Sequence, residues 1–115
     1  MLNPSELSDL IKLRHALHRA PEISGEEVGT AEKIAAYLTA LEPDGLITQL
    51  GGHGVAAIFE GSRPGPTILI RCELDGLPIE ELSDLPYRSQ ISGKGHLCGH
   101  DGHMAIVCAV ARLMH

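Results

Sequence analysis

The chain has 115 residues, room for one small domain and too few for two. Hydrophobic residues make up 43% but aromatics only 3%, with no Trp, so any core is aliphatic. A net charge of −6 argues against nucleic acid or an anionic membrane as the main partner, because both select a basic surface.

The first predicted element is a helix over about 4–20. Leu7, Leu10, Ile11, Leu13 and Leu17 recur at three- and four-residue steps and give it one apolar face. Asn3 suits the N-cap, Pro4 the first helical position and Glu6 the return bond of a capping box; Pro21 stops the helix. A second helix is expected over 25–41, capped by Ser24 with Glu27 three residues on, and buried along Val28, Ala31, Ile34, Ala35, Leu38 and Leu41. The period then changes. Residues 46–50 and 55–60 read as short strands across the turn Gly51-Gly52-His53-Gly54. "TILIRCE" at 67–73 is β-branched and apolar, as in a strand buried on both faces. Residues 75–100 read as irregular chain, and 103–114 as a buried helix. Two helices, three strands, a long loop and a helix predict an α/β fold with helices packed on a small sheet.

The three cysteines, Cys72, Cys98 and Cys108, are odd in number and widely spaced, which argues against a disulfide framework and for a reducing compartment. The N-terminus lacks a basic segment followed by an apolar one, and no stretch approaches the roughly 20 apolar residues of a spanning helix. The expectation is a soluble, cytoplasmic chain.

The densest chemistry lies in "GHLCGHDGHMA" (95–105), with His96, Cys98, His100, Asp101 and His103 among three glycines. Thiolate and neutral imidazole are the usual zinc donors, and imidazole also suits manganese, nickel and iron. Only Gly99 separates Cys98 from His100, so both side chains can reach one ion. The following helix places its positive dipole end beside them. The same residues also fit surface histidines and a small core cysteine. His15 and His18, three apart on a helix, are expected to be solvated or hydrogen-bonded rather than ligating; Glu80 and Glu81 read as a solvated pair. Asp101 is expected to orient His100 or cap the helix, and His103 to make a structural hydrogen bond. Cys72 and Cys108 read as core.

This segment resembles the "HACGHDGHTA" signature of metal-dependent amidohydrolases, the group of hippurate hydrolase, N-acyl-amino-acid amidohydrolase and auxin-conjugate hydrolase, related to aminoacylases and zinc carboxypeptidases. Three further stretches agree in order: residues 13–38 around "APE", "GGHGVAAIFEG" (51–61), and "RCELDGLPIEE" (71–81), which resembles "RADMDALPIEE". The resemblance implies a zinc-peptidase-like catalytic domain with Cys98 and His100 as metal ligands and Asp75 as a catalytic-site aspartate that orients a ligand or tunes the metals. It implies two divalent ions, zinc or manganese, and hydrolysis of the amide bond of N-acyl amino acids or small peptides. Departures are Glu73 for Asp, Gly76 for Ala, and Leu97, which is expected to crowd its loop. In the family, the glutamate general base, the other ligands and a dimerisation domain lie downstream of these motifs. Residues 1–115 are therefore expected to form the first part of a catalytic domain, with little or no turnover alone and an open sheet edge through which copies could associate. The alternatives are a non-catalytic metal- or protein-binding module that keeps the fold, and a bare structural fragment.

Overall fold

A computed structural model describes all residues, Met1–His115. Its elements are α1 (Pro4–Arg19), α2 (Val28–Thr39), β1 (Gly45–Leu50), β2 (Gly54–Ile58) and α3 (His100–Met114). Helices packed on a small two-stranded sheet are the expected class. The core is aliphatic, as the composition demands: Leu10 and Leu17 of α1, Ile34 and Leu38 of α2, Leu41 beyond it, and Met104, Cys108 and Ala111 of α3. Burial pushes the Cys108 thiol up to about 12, which makes it an inert core group.

The α1 capping box forms: Asn3 Oδ1 accepts from the Glu6 amide and a Glu6 carboxylate oxygen accepts from the Asn3 amide, both at 2.9 Å. The apolar stripe is narrower than its period suggests, since Leu7 and Ile11 stay about half exposed while Leu10, Leu17 and His18 are buried. The expected Ser24–Glu27 box at α2 is absent; α2 starts at Val28 with no cap from its own N-cap side chain. Glu22, one turn of chain earlier, takes that role. Its carboxylate accepts from the Gly29 amide at 3.1 Å, from the Thr30 hydroxyl at 2.6 Å and from the Thr30 amide. Although burial acts against ionisation, these donors hold the Glu22 carboxyl below its usual range.

β1 and β2 pair antiparallel, Gly45 opposite Ile58 and Ile47 opposite Ala56, with an irregularity before Leu50. The turn takes positive φ at Gly51 and Gly52, where glycine costs least. The strand expected over 67–73 does not form. Ile68 and Leu69 are 79% and 82% exposed. A strand buried on both faces needs a ladder partner and apolar cover, and β1 and β2 pair only with each other. The end of this segment behaves as expected, because Cys72 and Leu74 pack against the core.

Residues 75–100 are irregular but well anchored. Gly76 donates its amide to the Glu22 carbonyl at 2.7 Å, and Leu77 and Gly95 exchange two backbone bonds at 2.8 and 3.0 Å. A Cβ at Gly76 would stand 3.1 Å from Pro21 Cβ and 3.2 Å from the Gly95 carbonyl oxygen. Glycine thus fits a close chain crossing. Leu97 is about half exposed and does not crowd its loop. The crossing carries residues 73–76 against 95–100 and the start of α3.

Candidate metal centre

Helix α3 begins at His100, three residues before its expected start, because Gly99 turns the chain with φ +85°. This puts His100, Asp101 and His103 in one helical turn. The segment 73–75 lies beside that turn.

His100 Nδ1 is 2.8 Å from the Asp75 carbonyl oxygen and 3.0 Å from Asp75 Oδ1. A carbonyl oxygen only accepts, so Nδ1 carries the proton, and the lone pair of a neutral His100 is on Nε2. Cys98 Sγ lies 3.7 Å from the same carbonyl oxygen. The thiol and the imidazole therefore converge on one backbone atom of Asp75. On the other side of the ring, His100 Nε2 stands 3.7 Å from Glu73 Oε2, while Arg71 binds the opposite carboxylate oxygen at 2.9 Å. Glu73, His100 and His103 each present a ligand atom within 4.8 Å of the others, a set that does not include Cys98. Two imidazoles and a carboxylate on one partly exposed rim suit a borderline divalent cation. Sequence reasoning counted His103 among the candidate donors but preferred a structural hydrogen bond for it, and it did not consider Glu73 as a donor. The signal available was the three-residue spacing of His100 and His103 at a helix start.

Behind this rim lies a second cluster in which His18, Glu81 and Asp101 are buried. His18 Nδ1 is 2.7 Å from Asp101 Oδ2, and His18 Nε2 is 2.9 Å from Glu81 Oε2. Arg14 Nε donates to Asp101 at 3.2 Å, and Ser83 Oγ and the Ser89 amide donate to Glu81 at 2.7 and 2.6 Å. Burial alone would lower the His18 pKa, but Glu81 and Asp101 outweigh it and raise the value. Burial likewise works against Glu81, yet His18, the Ser89 amide and Ser83 bring it down to about 2. Asp101 is lowered against its own burial by His18.

Two expectations fail here. Asp101 orients His18 and not His100, because its side chain turns inward from the first turn of α3. Glu81 is not solvated; its side chain is 4% exposed. His96 is buried with neither ring nitrogen bonded, and desolvation lowers its pKa. His15 stacks on Tyr87 with ring centroids 3.9 Å apart, consistent with a packing role.

The Peptidase family M20/M25/M40 matches residues 69–115, which include the whole rim. N-acetylcysteine deacetylase of Bacillus subtilis is 40% identical over 105 residues, covering 91% of this chain and 28% of the deacetylase. N-acetyldiaminopimelate deacetylase of Anoxybacillus flavithermus is 39% identical over 100 residues, covering 87% of this chain and 26% of that protein. The crystal structure of the Bacillus subtilis YXEP protein, described as a dinuclear metal binding peptidase from the M20 family, superposes with a TM-score of 0.92 at 36% identity. That match covers 98% of this chain and 32% of the YXEP chain. The chain thus spans 28% and 26% of the two deacetylases. Residues 69–115 thus match peptidase family M20/M25/M40, and the fold of the chain is similar to that of an M20-family protein.

Proposed function

We propose that residues 1–115 supply the first part of a catalytic domain that hydrolyses the amide bond of N-acyl amino acids or small peptides. Cys98 and His100 are the metal ligands and Asp75 is the positioning residue of this site. The observation that supports the reading is that Cys98 and His100 both lie against the Asp75 carbonyl, which engages His100 Nδ1 and leaves Nε2 as the ligating atom. The names of the similar deacetylases support the substrate class, and the dinuclear YXEP protein supports two divalent ions in a complete site, zinc or manganese by donor chemistry. When bound, such ions supply Lewis acidity and a water of lowered pKa.

The residues of this chain do the holding. Asp75 accepts the hydrogen bond of His100 Nδ1–H, which fixes the tautomer and the ring plane and makes Nε2 a better ligand. Cys98 provides a soft anionic ligand on the Asp75 side. The general base implied by the family resemblance is not assigned to any of these residues, so residues 1–115 alone are expected to turn over little substrate. The acidic balance supports a protein without nucleic-acid or membrane partners, and no helix is long and apolar enough to cross a membrane. A cytoplasmic setting fits the unpaired cysteines. Exposed Ile68, Leu69 and Ile70 support self-association through that uncovered stretch.

Cobalt(II) titration tests the site. A thiolate-to-cobalt absorption band is expected in the 115-residue chain and should vanish in Cys98→Ser; Asp75→Ala should weaken binding by about 10–100-fold. A wild-type chain that binds cobalt without that band would overturn the ligand assignment. Release of free amino acid from N-acetylcysteine by the complete protein carrying this stretch tests the reaction, and its absence across a panel of N-acyl amino acids would overturn it.

A further inference from the structure

We propose a second cation seat on the outer side of His100, built by Glu73, His100 and His103 and independent of Cys98. The tautomer argument leads to it. With Nδ1 committed to Asp75, the only lone pair His100 can offer a cation is on Nε2. That nitrogen faces Glu73 Oε2 at 3.7 Å, and His103 completes a set of ligand atoms within 4.8 Å. Two imidazoles and one carboxylate form a donor set that zinc accepts with a fourth position left open.

The surroundings favour this seat in three ways. Arg71 engages Oε1 of Glu73 at 2.9 Å, which leaves Oε2 turned toward His100. Asp75 accepts the Nδ1–H hydrogen bond on the far side of the ring and strengthens Nε2 as a ligand. His103 is exposed and makes no side-chain hydrogen bond that a cation would have to break, and its ring lies 5.8 Å from that of His100. Helical geometry maintains the pair, since residues three apart share a face of α3. The seat takes a borderline divalent cation such as zinc, cobalt or nickel rather than magnesium or calcium, which prefer all-oxygen shells. The two seats share His100, so an ion in one competes for the imidazole needed by the other.

Cys98→Ser provides the background for the test, because it removes the thiolate of the inner site and leaves the outer donors intact. Equilibrium dialysis of the Cys98→Ser chain with cobalt(II) should still show one bound ion. Adding Glu73→Gln or His103→Gln to that background should weaken binding at least tenfold, with unchanged far-UV circular dichroism as the folding control. If Cys98→Ser binds no cobalt, or if neither added substitution changes the affinity, the outer seat is overturned while a thiolate band in the wild type would leave the inner site standing. A wild-type chain with no thiolate band, whose single bound ion is lost on His103→Gln, would sink the inner site and uphold the outer one.

Discussion

Two clusters meet at the start of α3, one residue apart in sequence and opposite in character. Around His100 the side chains are partly exposed, 22% for His100 and 40% for Glu73, and the exposed His103 ring makes no hydrogen bond. Around His18 both carboxylates are enclosed, and Asp101 and Glu81 grip the ring from both sides. The same residue types thus serve different ends. Where carboxylates and imidazole are buried and mutually satisfied, they tie α1 to α3 and to the 81–89 loop. Where they are open, with donors left over, they can receive a ligand. A buried ion pair specifies geometry at a desolvation cost that its partners offset, whereas an open one gains little from pairing alone.

The sharpest way to break this contrast is His18→Ala. It leaves the Asp101 and Glu81 carboxylates buried without their shared partner, and a loss of about 3–5 kcal/mol is expected in urea unfolding. A loss below 1 kcal/mol would show that the enclosed cluster does not hold the helices together. A smaller effect comes from pH. His18 has a folded pKa raised above its ordinary 6.5, so its contribution is full below that value and is lost as pH rises through the folded pKa. Glu81 is depressed from 4.5 to about 2, so its contribution is full above 4.5 and is lost as pH falls toward 2. The stability difference between the wild type and His18→Gln should therefore be greatest between those two ordinary values and shrink above them, as read from urea midpoints across a pH series. A difference that stays constant from pH 6 to 9 would contradict the charge on His18. The smallest effect belongs to the rim. Glu73→Gln and His103→Gln are each expected to change stability by no more than about 0.5 kcal/mol in the absence of metal. A larger loss would mean that the open cluster is a structural pair like the enclosed one.

Much of the scaffold was legible from local rules. The α1 capping box, the hairpin around Gly51 and Gly52, and the burial of Cys108 depend on residues near in sequence or on hydrophobicity alone. The α2 cap was misread because Ser24 and Glu27 have the right spacing, while Glu22 reaches Gly29 and Thr30 only through the bend between the helices. The strand at 67–73 was misread because composition reports a preference for burial and cannot supply the neighbours that would provide it. At the site, the sequence singled out Cys98, His100 and Asp75, and folding brought all three to one carbonyl. It did not reveal that Glu73 lies beside His100 and His103, or that His18, Glu81 and Asp101 form one network, since the latter lie up to 83 positions apart.

The sequence by itself determined the helices and the α1 cap, the aliphatic core and the short segment rich in metal donors, because period, side-chain volume and ligand chemistry are properties of neighbouring residues. Only the tertiary structure decided which donors face one another and which carboxylates are enclosed. Those outcomes depend on the chain crossing at Gly76 and on the direction in which the first turn of α3 projects each side chain, and neither is set by any local stretch.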